Sequence, residues 1–340
     1  MGAVNAAWRC GLEIIPAQEL ERKGPRSWEH TFRADKKGAR MNKKCVAVII
    51  AQDKTCCNAL RIGQTHPEPE RHATGRPCAA HRPDQAGGSV RNRSPRGKSR
   101  AHSADIADSD PETGAITLVI QAVGKSTNDL VALNPGDFIR DVAGPLGHPT
   151  EMISSGHALC IGGGVGTAVV HPIAQGLNLR GVRVTSVIGG RSREWVIFEN
   201  ELKRYGSVVV CTDDGSYGRK GFVTDAAKDI LAAEKVDIVY AVGPVPMMRA
   251  VANLTRGLGV HTVVSLNPVM IDGTGMCGGC RVSFGNEIKF ACVDGPEFDG
   301  HKVNFDELLD RLTTYREFEQ KSLACAAENC RLEKQIASQA

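Results

Sequence analysis

A regular alternation of apolar segments and glycine-rich turns over residues 157–265 constrains the fold of this chain more than any other feature. Short runs rich in Val and Ile, such as 182–188 and 238–242, each end in a turn, and stretches with helical character follow the runs at 157–161, 182–188 and 208–211. Strands that alternate with helices predict a parallel sheet, in which ligands bind at the carboxyl ends of the strands. The glycine-rich and aspartate-rich turns all fall at those ends, so the sequence predicts a ligand site there.

The predicted elements of this segment follow one another closely. Strands are predicted at 157–161, 182–188, 208–211, 238–242 and 262–265, and helices from the first glycine-rich turn to 177, from about 196 to 203, and over 225–233. The first turn, Gly162-Gly163-Gly164-Val165-Gly166-Thr167, stands between a strand and a helix. Glycines permit close approach of the backbone, and a helix N-terminus attracts negative charge, so this turn is a candidate pyrophosphate cradle.

Two further pairs of side chains lie at the strand ends. Arg191 and Arg193 could grip a 2′-phosphate, which would favour NADP, or could be a solvated pair. Met247 and Met248 could contact a ligand or pack in the core.

A second constraint is the cysteine loop between Ile271 and Asp294. Cys277, Cys280 and Cys292 follow Asp272 with the spacing D-x4-C-x2-C-x11-C. The plant-type [2Fe–2S] loop is C-x4-C-x2-C…C, so this is that pattern with an oxygen ligand in first place. Two other interpretations are a zinc site, since Cys-x2-Cys is also a zinc half-site, and plain buried thiols. Asp294 is a weaker rival to Asp272 as the oxygen ligand.

Length and composition limit the number of domains, the location of the protein and the chemical state of its cysteines. A chain of 340 residues with net charge +4 has room for two or three domains. No apolar run has membrane-spanning length, and the N-terminus lacks a signal pattern, so we expect a cytoplasmic protein without a membrane partner. Twelve cysteines could indicate disulfides, but nothing marks secretion and three of them have ligand spacing.

Residues 1–105 do not have the pattern of a folded domain. The segment has no sustained period and is rich in Arg, Pro, His and Ser. A basic nucleic-acid-binding arm and simple disorder are two explanations. The one we favour is a shifted reading frame: read one base later, codons for residues 102–105 can spell Ile-Pro-Leu-Thr, and those for 89–92 can spell Gln-Phe-Val-Ile, a plausible strand.

Order returns at Ile106. The sequence predicts a strand over 115–121, a short helical stretch from Gly124 to about Leu133, and a second strand over 138–142. Gly124, Lys125, Ser126 and Thr127 at the helix start could form an anion site or an ordinary capped helix.

The order of motifs resembles the ferredoxin–NADP reductase superfamily over residues 106–315. These motifs are GKST, GPLG, CIGGGVGTA, GGR, TDDGSYGRKGFVTD, GPVPMM, SLNPVMIDGTGMCGGCRV and FACVDGPEFDGH. Within it, the sequence is most similar to the small subunit of NADH-dependent ferredoxin:NADP oxidoreductase, a group that includes sulfide dehydrogenase small subunits. The electron-transfer subunit of dihydroorotate dehydrogenase B is a nearby relative. That subunit usually has four cysteines in the loop, so Asp272 favours the first group.

The resemblance implies a mixed β and α/β fold. Its parts would be an FAD-binding antiparallel β-barrel, incomplete or scrambled here, a Rossmann-like parallel α/β domain for NAD, and a small [2Fe–2S] loop subdomain. The implied boundaries are 1–105 for the irregular remnant of the barrel, 106–150 for its end, 151–265 for the NAD domain, 266–305 for the cluster loop and 306–340 for a helical tail. The family's flavin motif, R-x-P-L-T-I-A-D, would stand at 101–108, where this chain reads AHSADIAD.

The resemblance also implies roles for individual residues. Gly124 to Thr127 would hold the FAD diphosphate, and Gly162, Gly163, Gly164, Gly166 and Thr167 the pyrophosphate of NAD(H) or NADP(H), with Arg191 nearby. Gly243, Pro244 and Met247 would line the nicotinamide side, and Asp272, Cys277, Cys280 and Cys292 would ligate the [2Fe–2S] cluster.

The implied activity is a relay in which NADH gives a hydride to FAD and single electrons reach the cluster and a partner subunit. No side chain need act as a catalytic acid or base, because a flavin itself bridges two-electron and one-electron carriers. The implied partner is a large, glutamate-synthase-like flavin and iron–sulfur subunit in a heterodimer, with ferredoxin as a further candidate and no nucleic acid.

Two alternatives remain open from the sequence. The chain could instead feed electrons to a dihydroorotate dehydrogenase. It could also be a zinc-stabilised nucleotide-binding module with a basic arm for nucleic acid.

Overall fold

A seven-stranded sheet forms the centre of the computed structural model, which describes residues 12–15, 46–53, 88–93, 99–110, 115–133, 138–139, 141–143 and 145–325. Its strands are β9 (His157–Gly163), β10 (Arg183–Gly190), β11 (Gly206–Thr212), β12 (Arg219–Lys220), β13 (Ile238–Val242), β14 (His261–Ser265) and β17 (Glu297–Asp299). The order across the sheet is β12-β11-β10-β9-β13-β14-β17. Every neighbouring pair is parallel except β14 and β17, which confirms the parallel sheet predicted from the alternation.

Helices cover both faces of this sheet. They are α2 (Thr167–Leu179), α3 (Glu199–Leu202), α4 (Val223–Ala233) and α5 (Val245–Leu258). Helix α2 packs with β9 and β10 in one apolar cluster, and α4 and α5 pack in a second cluster that includes Leu159 and Val264. Because both faces are covered, strands such as β9 and β13 are buried along their whole length, as their continuous apolar runs require.

Two predictions in this segment need correction. The helix expected over about 196–203 is only Glu199–Leu202, because Phe198 adopts a left-handed conformation with φ 60° and ends the preceding turn. Helix α5 was not predicted, because its first residues include prolines that the sequence analysis treated as a turn.

The segment before the sheet contains two antiparallel sheets. Its strands are β1 (Leu12–Ile15), β2 (Val46–Asp53), β3 (Gly88–Arg93), β4 (Ser99–Ala104), β5 (Ile106–Asp110), β6 (Ala115–Gln121), β7 (Phe138–Ile139) and β8 (Asp141–Ala143), with helix α1 (Lys125–Val131) after β6. One sheet has the order β5-β6-β2-β1-β7 and the other β4-β3-β8. The strand expected over 138–142 is therefore divided, because β7 pairs with β1 and β8 pairs with β3.

The prediction of an irregular N-terminal segment stays a prediction, since most of residues 1–87 lie outside the described part of the chain. Strands β3 and β4 pair with each other in register, with Val90 opposite His102. They coincide with the two stretches for which a shifted reading frame spells apolar residues.

The C-terminal part adds a hairpin and a helix beside the sheet. Strands β15 (Arg281–Phe284) and β16 (Glu287–Phe290) form the hairpin, followed by the short helix α6 (Ala291–Asp294), β17 and helix α7 (Phe305–Thr313). Residues 316–325 are also helical. Over the described residues, the structure holds no helix of the length and apolar character needed to cross a membrane.

Candidate functional site

The predicted glycine-rich turn lies at the point where the sheet reverses its order. Strand β9 has β10 on one side and β13 on the other, so the loops after β9 and β13 leave toward opposite faces of the sheet. The carboxyl ends of such neighbouring strands form the crevice in which α/β sheets bind nucleotides. Here β9 runs into the turn Gly164–Gly166, and α2 begins at Thr167.

The two loops at this point touch through glycines. A Cβ on Gly163 would stand 2.5 Å from Sδ of Met247, and a Cβ on Gly243 would stand 3.0 Å from the Cα of Gly163. A Cβ on Gly166 would stand 2.4 Å from the carbonyl oxygen of Val242. The structure thus brings the predicted pyrophosphate loop and the predicted nicotinamide-side loop, Gly243 to Met247, into direct contact.

This arrangement fits a dinucleotide. The first N–H groups of α2 have no partner within the helix and can bind phosphate oxygens. Met248 is fully buried in the core, whereas Met247 is only partly buried and borders the glycine turn. Of the two methionines, Met247 is therefore the one placed to line a ligand.

A second cluster of polar side chains lies at the ends of β10 and β11. The guanidinium of Arg193 stands 5.0 Å from the centroid of the Tyr217 ring, and its backbone N–H donates to Oγ of Ser216. The Tyr217 hydroxyl donates to the Glu199 carboxylate, and this hydrogen bond, together with the negative charge of Glu199, raises the pKa of Tyr217. The backbone carbonyl of Arg191 accepts from Asp214.

These contacts identify residues that the sequence analysis missed. Ser216, Tyr217 and Glu199 were not predicted as site residues, although the turn Thr212-Asp213-Asp214-Gly215-Ser216-Tyr217 was noted at a strand end. Their roles depend on contacts between two separate loops, and no spacing within the chain reveals such contacts.

The start of α1 has the hydrogen bonds of an ordinary capped helix, and the space beside Gly124 is open. The Thr127 hydroxyl accepts the backbone N–H groups of Val123 and Gly124, and the Lys125 ammonium pairs with Asp129 at 2.9 Å. Among the described residues, apart from Gly124 and its two neighbours in the chain, no atom lies within 4 Å of the position that a Cβ on Gly124 would take. Helix α1 follows β6, and β6 lies beside the turn Gly164–Gly166.

The cysteine loop brings two of its three thiols together. Sγ of Cys280 and Sγ of Cys292 are 3.1 Å apart and both residues are buried, while Cys277 is exposed. Backbone N–H groups point at the sulfurs: Gly279 donates to Cys277 at 3.4 Å and Cys292 donates to Cys280 at 3.5 Å. Burial raises the pKa of the Cys292 thiol to about 12. Soft thiols with backbone N–H groups directed at them are the donor set that an iron–sulfur cluster uses.

The Asp272 carboxylate organises the start of this loop. Its Oδ1 accepts the N–H of Thr274 and its Oδ2 accepts the N–H of Cys277, both at 2.9 Å. The hydrogen bond from Thr274 is the main cause that lowers the pKa of Asp272. Among the described residues, no group of three or more His, Cys, Asp or Glu side chains is close enough to share a metal ion. The structure therefore places the four predicted ligands in one segment of the chain and brings Cys280 and Cys292 together, but it does not gather all four around one position.

Comparison with known proteins identifies the family. A Thermotoga maritima protein, the dihydroorotate dehydrogenase B (NAD(+)) electron transfer subunit homolog, is 49% identical over 217 residues, which cover 64% of this chain and 77% of that protein. This chain belongs to that family of electron-transfer subunits. The corresponding subunit from Fusobacterium nucleatum is 34% identical over 208 residues, 59% of this chain and 79% of that protein.

Two further matches agree with this family. Residues 267–304 match the iron–sulfur cluster binding domain of dihydroorotate dehydrogenase B. The solved structure of an NADH-dependent reduced ferredoxin-NADP oxidoreductase, described for flavin-based electron bifurcation, aligns with a TM-score of 0.70 and 39% identity. The alignment covers 82% of this chain and 91% of that one. A flavohemoglobin from Malassezia yamatoensis, at 13% identity and a TM-score of 0.52, shares the fold.

The family settles the class of function. As an electron-transfer subunit, the chain is part of an oxidoreductase and works with FAD, an iron–sulfur cluster and NAD(H), as the sequence resemblance predicts. It acts with a partner subunit. The zinc-stabilised nucleic-acid-binding alternative is therefore wrong.

Proposed function

We propose that this chain is the small subunit of an oxidoreductase of the NADH-dependent ferredoxin:NADP type. It forms a cytoplasmic heterodimer with a large, glutamate-synthase-like flavin and iron–sulfur subunit, and ferredoxin is a further electron carrier of the complex. The observation that carries the proposal is the cysteine loop, in which Asp272 stands where the plant-type pattern has its first cysteine.

We assign the nicotinamide nucleotide to the crevice between β9 and β13. The turn Gly162–Thr167 binds the pyrophosphate through backbone N–H groups, since a side chain at Gly163 or Gly166 would fill the space between the two loops. Gly243, Pro244 and Met247 border the nicotinamide, and Arg191 directly follows the end of β10. Gly124 to Thr127 contact the FAD diphosphate at the start of α1.

We assign the [2Fe–2S] cluster to Asp272, Cys277, Cys280 and Cys292. When bound, the flavin supplies the exchange between two-electron and one-electron carriers. The chain itself fixes the positions of the cluster ligands. Cys280 and Cys292 are buried in the core, and the Asp272 carboxylate holds the loop that carries Cys277.

The surface around this loop suits docking of the partner subunit. Four apolar side chains between residues 271 and 293 are exposed, with exposed fractions of 51% for Ile271, 88% for Met276, 63% for Ile288 and 41% for Val293. Exposed apolar groups gathered on one surface favour a protein–protein contact. Electrons would leave through this face to the large subunit.

The ligand role of Asp272 can be tested by substitution. In Asp272→Asn, the amide oxygen can still accept one of the two backbone N–H groups that the carboxylate accepts, but the second acceptor and the anionic ligand are lost. We expect the variant, prepared anaerobically, to lose cluster iron and acid-labile sulfide or to show an altered EPR spectrum in the reduced state. Asp294→Asn is the matched control, because the Asp294 carboxylate also accepts a backbone N–H, that of Phe290. An unchanged spectrum in Asp272→Asn would remove Asp272 from the ligand set, and a change in Asp294→Asn alone would transfer the role to Asp294.

The second candidate function is electron supply to a dihydroorotate dehydrogenase. It is favoured by the match of residues 267–304 to the iron–sulfur domain of that enzyme. Anaerobic co-purification from the native host decides between the two. We expect a glutamate-synthase-like flavoprotein as the partner; a dihydroorotate dehydrogenase in its place would establish the second function and refute the first.

A further inference from the structure

Helix α7 packs against the cysteine loop. Its Leu308 lies in the same buried apolar cluster as Cys280 and Cys292, and Leu312 packs against that cluster. Residues three positions apart lie on one face of a helix, so Arg311 stands beside Leu308 on the face that α7 turns toward the loop.

The Arg311 side chain reaches the segment between two thiols. Its Nη2 donates to the carbonyl oxygen of Gly279 at 3.0 Å, directly before Cys280 in the chain. The Nε–H of the same side chain is buried and has no hydrogen-bond partner among the described residues. A guanidinium is not deprotonated in proteins. Helix α7 therefore places a permanent cation against the segment that joins Cys277 to Cys280.

The hydrogen bond of Arg311 differs from those of two other arginines. Arg183 and Arg249 form ion pairs with Glu234 and Asp306, so a carboxylate offsets each of their charges. Arg311 instead donates to a neutral carbonyl group. Its positive charge is thus directed at the cysteine loop itself.

The peptide group that Arg311 contacts also belongs to Cys280. The carbonyl of Gly279 and the N–H of Cys280 are parts of one trans peptide unit, in which the two groups point in opposite directions. A guanidinium that binds the carbonyl therefore fixes the Cys280 N–H on the other side of the unit. One peptide earlier, the N–H of Gly279 already donates to Sγ of Cys277 at 3.4 Å. Arg311 thus acts on the cluster loop through both its charge and the orientation of a peptide.

The charge of the ligand set makes this cation relevant to redox chemistry. Thiols and carboxyl groups bind metals in their anionic forms, so the four proposed ligands are all negative: Asp272, Cys277, Cys280 and Cys292. Reduction adds one electron and no atom to a cluster, so the negative charge of the site grows by one. Net charge and hydrogen bonds to the sulfurs set the reduction potential of such clusters. A fixed positive charge beside the loop stabilises the reduced state more than the oxidised state.

We propose that Arg311 is a positioning residue whose charge raises the reduction potential of the [2Fe–2S] cluster and makes it a better acceptor of single electrons. The assignment rests on the proposed ligation of the cluster by this loop. Opposite charges within a few ångströms shift equilibria in proteins by about one to three powers of ten. Arg311 is partly exposed, so water screens its charge, and we expect an effect at the lower end, about tenfold. For a one-electron couple, a tenfold change corresponds to about 59 mV.

The test is a redox titration of the complete complex, followed by EPR. The signal of this cluster is identified as the one that Cys277→Ser alters. Arg311→Gln removes the charge but keeps an amide donor, whereas Arg311→Lys keeps the charge without the planar guanidinium. At the ambient potential that half-reduces the wild-type cluster, we expect the ratio of reduced to oxidised cluster to fall about tenfold in Arg311→Gln. The ratio in Arg311→Lys should stay near the wild-type value.

Arg183→Gln is the matched control. It removes one positive charge from an exposed arginine at the start of β10, and β10 is separated by β9 and β13 from β14, the strand that precedes the cysteine loop. Its potential should equal that of the wild type. Iron and acid-labile sulfide are measured in every variant, so that a changed potential is compared at equal cluster content.

The outcomes separate charge from structure. An unchanged potential in Arg311→Gln at full cluster content would overturn the proposal, and so would equal shifts in Arg311→Gln and Arg311→Lys, because the lost guanidinium geometry would then be the cause. Loss of the cluster from both variants would also overturn it, by showing that Arg311 only holds the loop, whereas loss from Arg311→Gln alone would support a role for the charge. A wild-type complex in which this chain carries no iron or sulfide would instead refute the proposed ligation.

Discussion

Replacing Gly166 with alanine should destabilise the nucleotide-binding sheet by about 1–3 kcal/mol, the usual cost of overpacking. The backbone of Gly166 has φ −58° and ψ −19°, which alanine adopts without strain. Its Cβ would nevertheless stand 2.4 Å from the carbonyl oxygen of Val242 and 2.6 Å from the carbonyl carbon. Ordinary contacts begin at 3.4 Å, so α2 and β13 would have to separate by about 1 Å (3.4 − 2.4). The penalty thus arises only from the close approach of two backbones.

Urea unfolding followed by circular dichroism measures this effect, with Gly257→Ala as the matched control. Gly257 lies in α5 with no atom within 4 Å of a built Cβ, so the same substitution should stabilise the chain by about 0.5–1 kcal/mol. Gly166→Ala should also weaken NADH binding, because the N-terminus of α2 moves away from β13. A Gly166→Ala variant as stable as the wild type would show that the two loops are not in contact.

Three further outcomes follow from named side chains. Cys160 should resist alkylation in the native chain, because burial raises the pKa of its thiol to about 12, whereas the exposed Cys325 should react; equal labelling of the two, read by mass spectrometry, would contradict this. Asp237→Asn should destabilise the chain at neutral pH, because the His157 N–H holds the pKa of Asp237 below its ordinary value of 3.8. This contribution to the free energy of unfolding is present above pH 3.8 and is lost as the pH falls through the lower folded-state pKa. The unfolding curves of the variant and the wild type should therefore converge in acid. Curves that stay apart in acid would contradict this cause. Arg191→Ala should weaken NADPH binding more than NADH binding if the guanidinium meets a 2′-phosphate, and fluorescence titration that shows equal losses would remove that role.

Much of the parallel sheet could be predicted because its strands are buried on both faces. A strand covered on both sides must be apolar throughout and must end where polar or glycine residues begin. The bounds expected for 238–242 are those of β13. The thiol spacing of the cysteine loop could be recognised for a related reason, since the ligand geometry of a plant-type cluster fixes the offsets between its residues.

The missed helix α5 shows where such patterns fail. Pro244 and Pro246 suggest a turn, because proline breaks helices in their interior. In the structure, Pro244 is the N-cap of α5 and Pro246 lies in its first turn, where the N–H groups have no partner within the helix. The same residues that argued against a helix therefore begin one, and only the length of the following amphipathic stretch could have revealed it.

Contacts between distant segments also could not be predicted from the sequence. The division of residues 138–143 between two sheets depends on β1 and β3, which lie more than 40 positions away in the chain. The stacking of Arg193 on Tyr217 likewise joins loops after different strands. Local patterns carry no information about either pairing.

The arrangement of the core explains how one chain can hold two redox sites in a fixed relation. Cys280 and Cys292 belong to the same buried cluster as Met248 of α5 and Val264 of β14. Helix α5 begins directly after the loop that we propose to border the nicotinamide. Strand β17 pairs with β14, and just beyond this pair the N–H of Leu266 donates to the carbonyl oxygen of Pro296, which follows the cysteine loop. Protein interiors are packed at crystal density, so a shift at one site is resisted by the other. Rapid electron transfer depends on a short and constant distance between carriers, and a shared core favours that constancy.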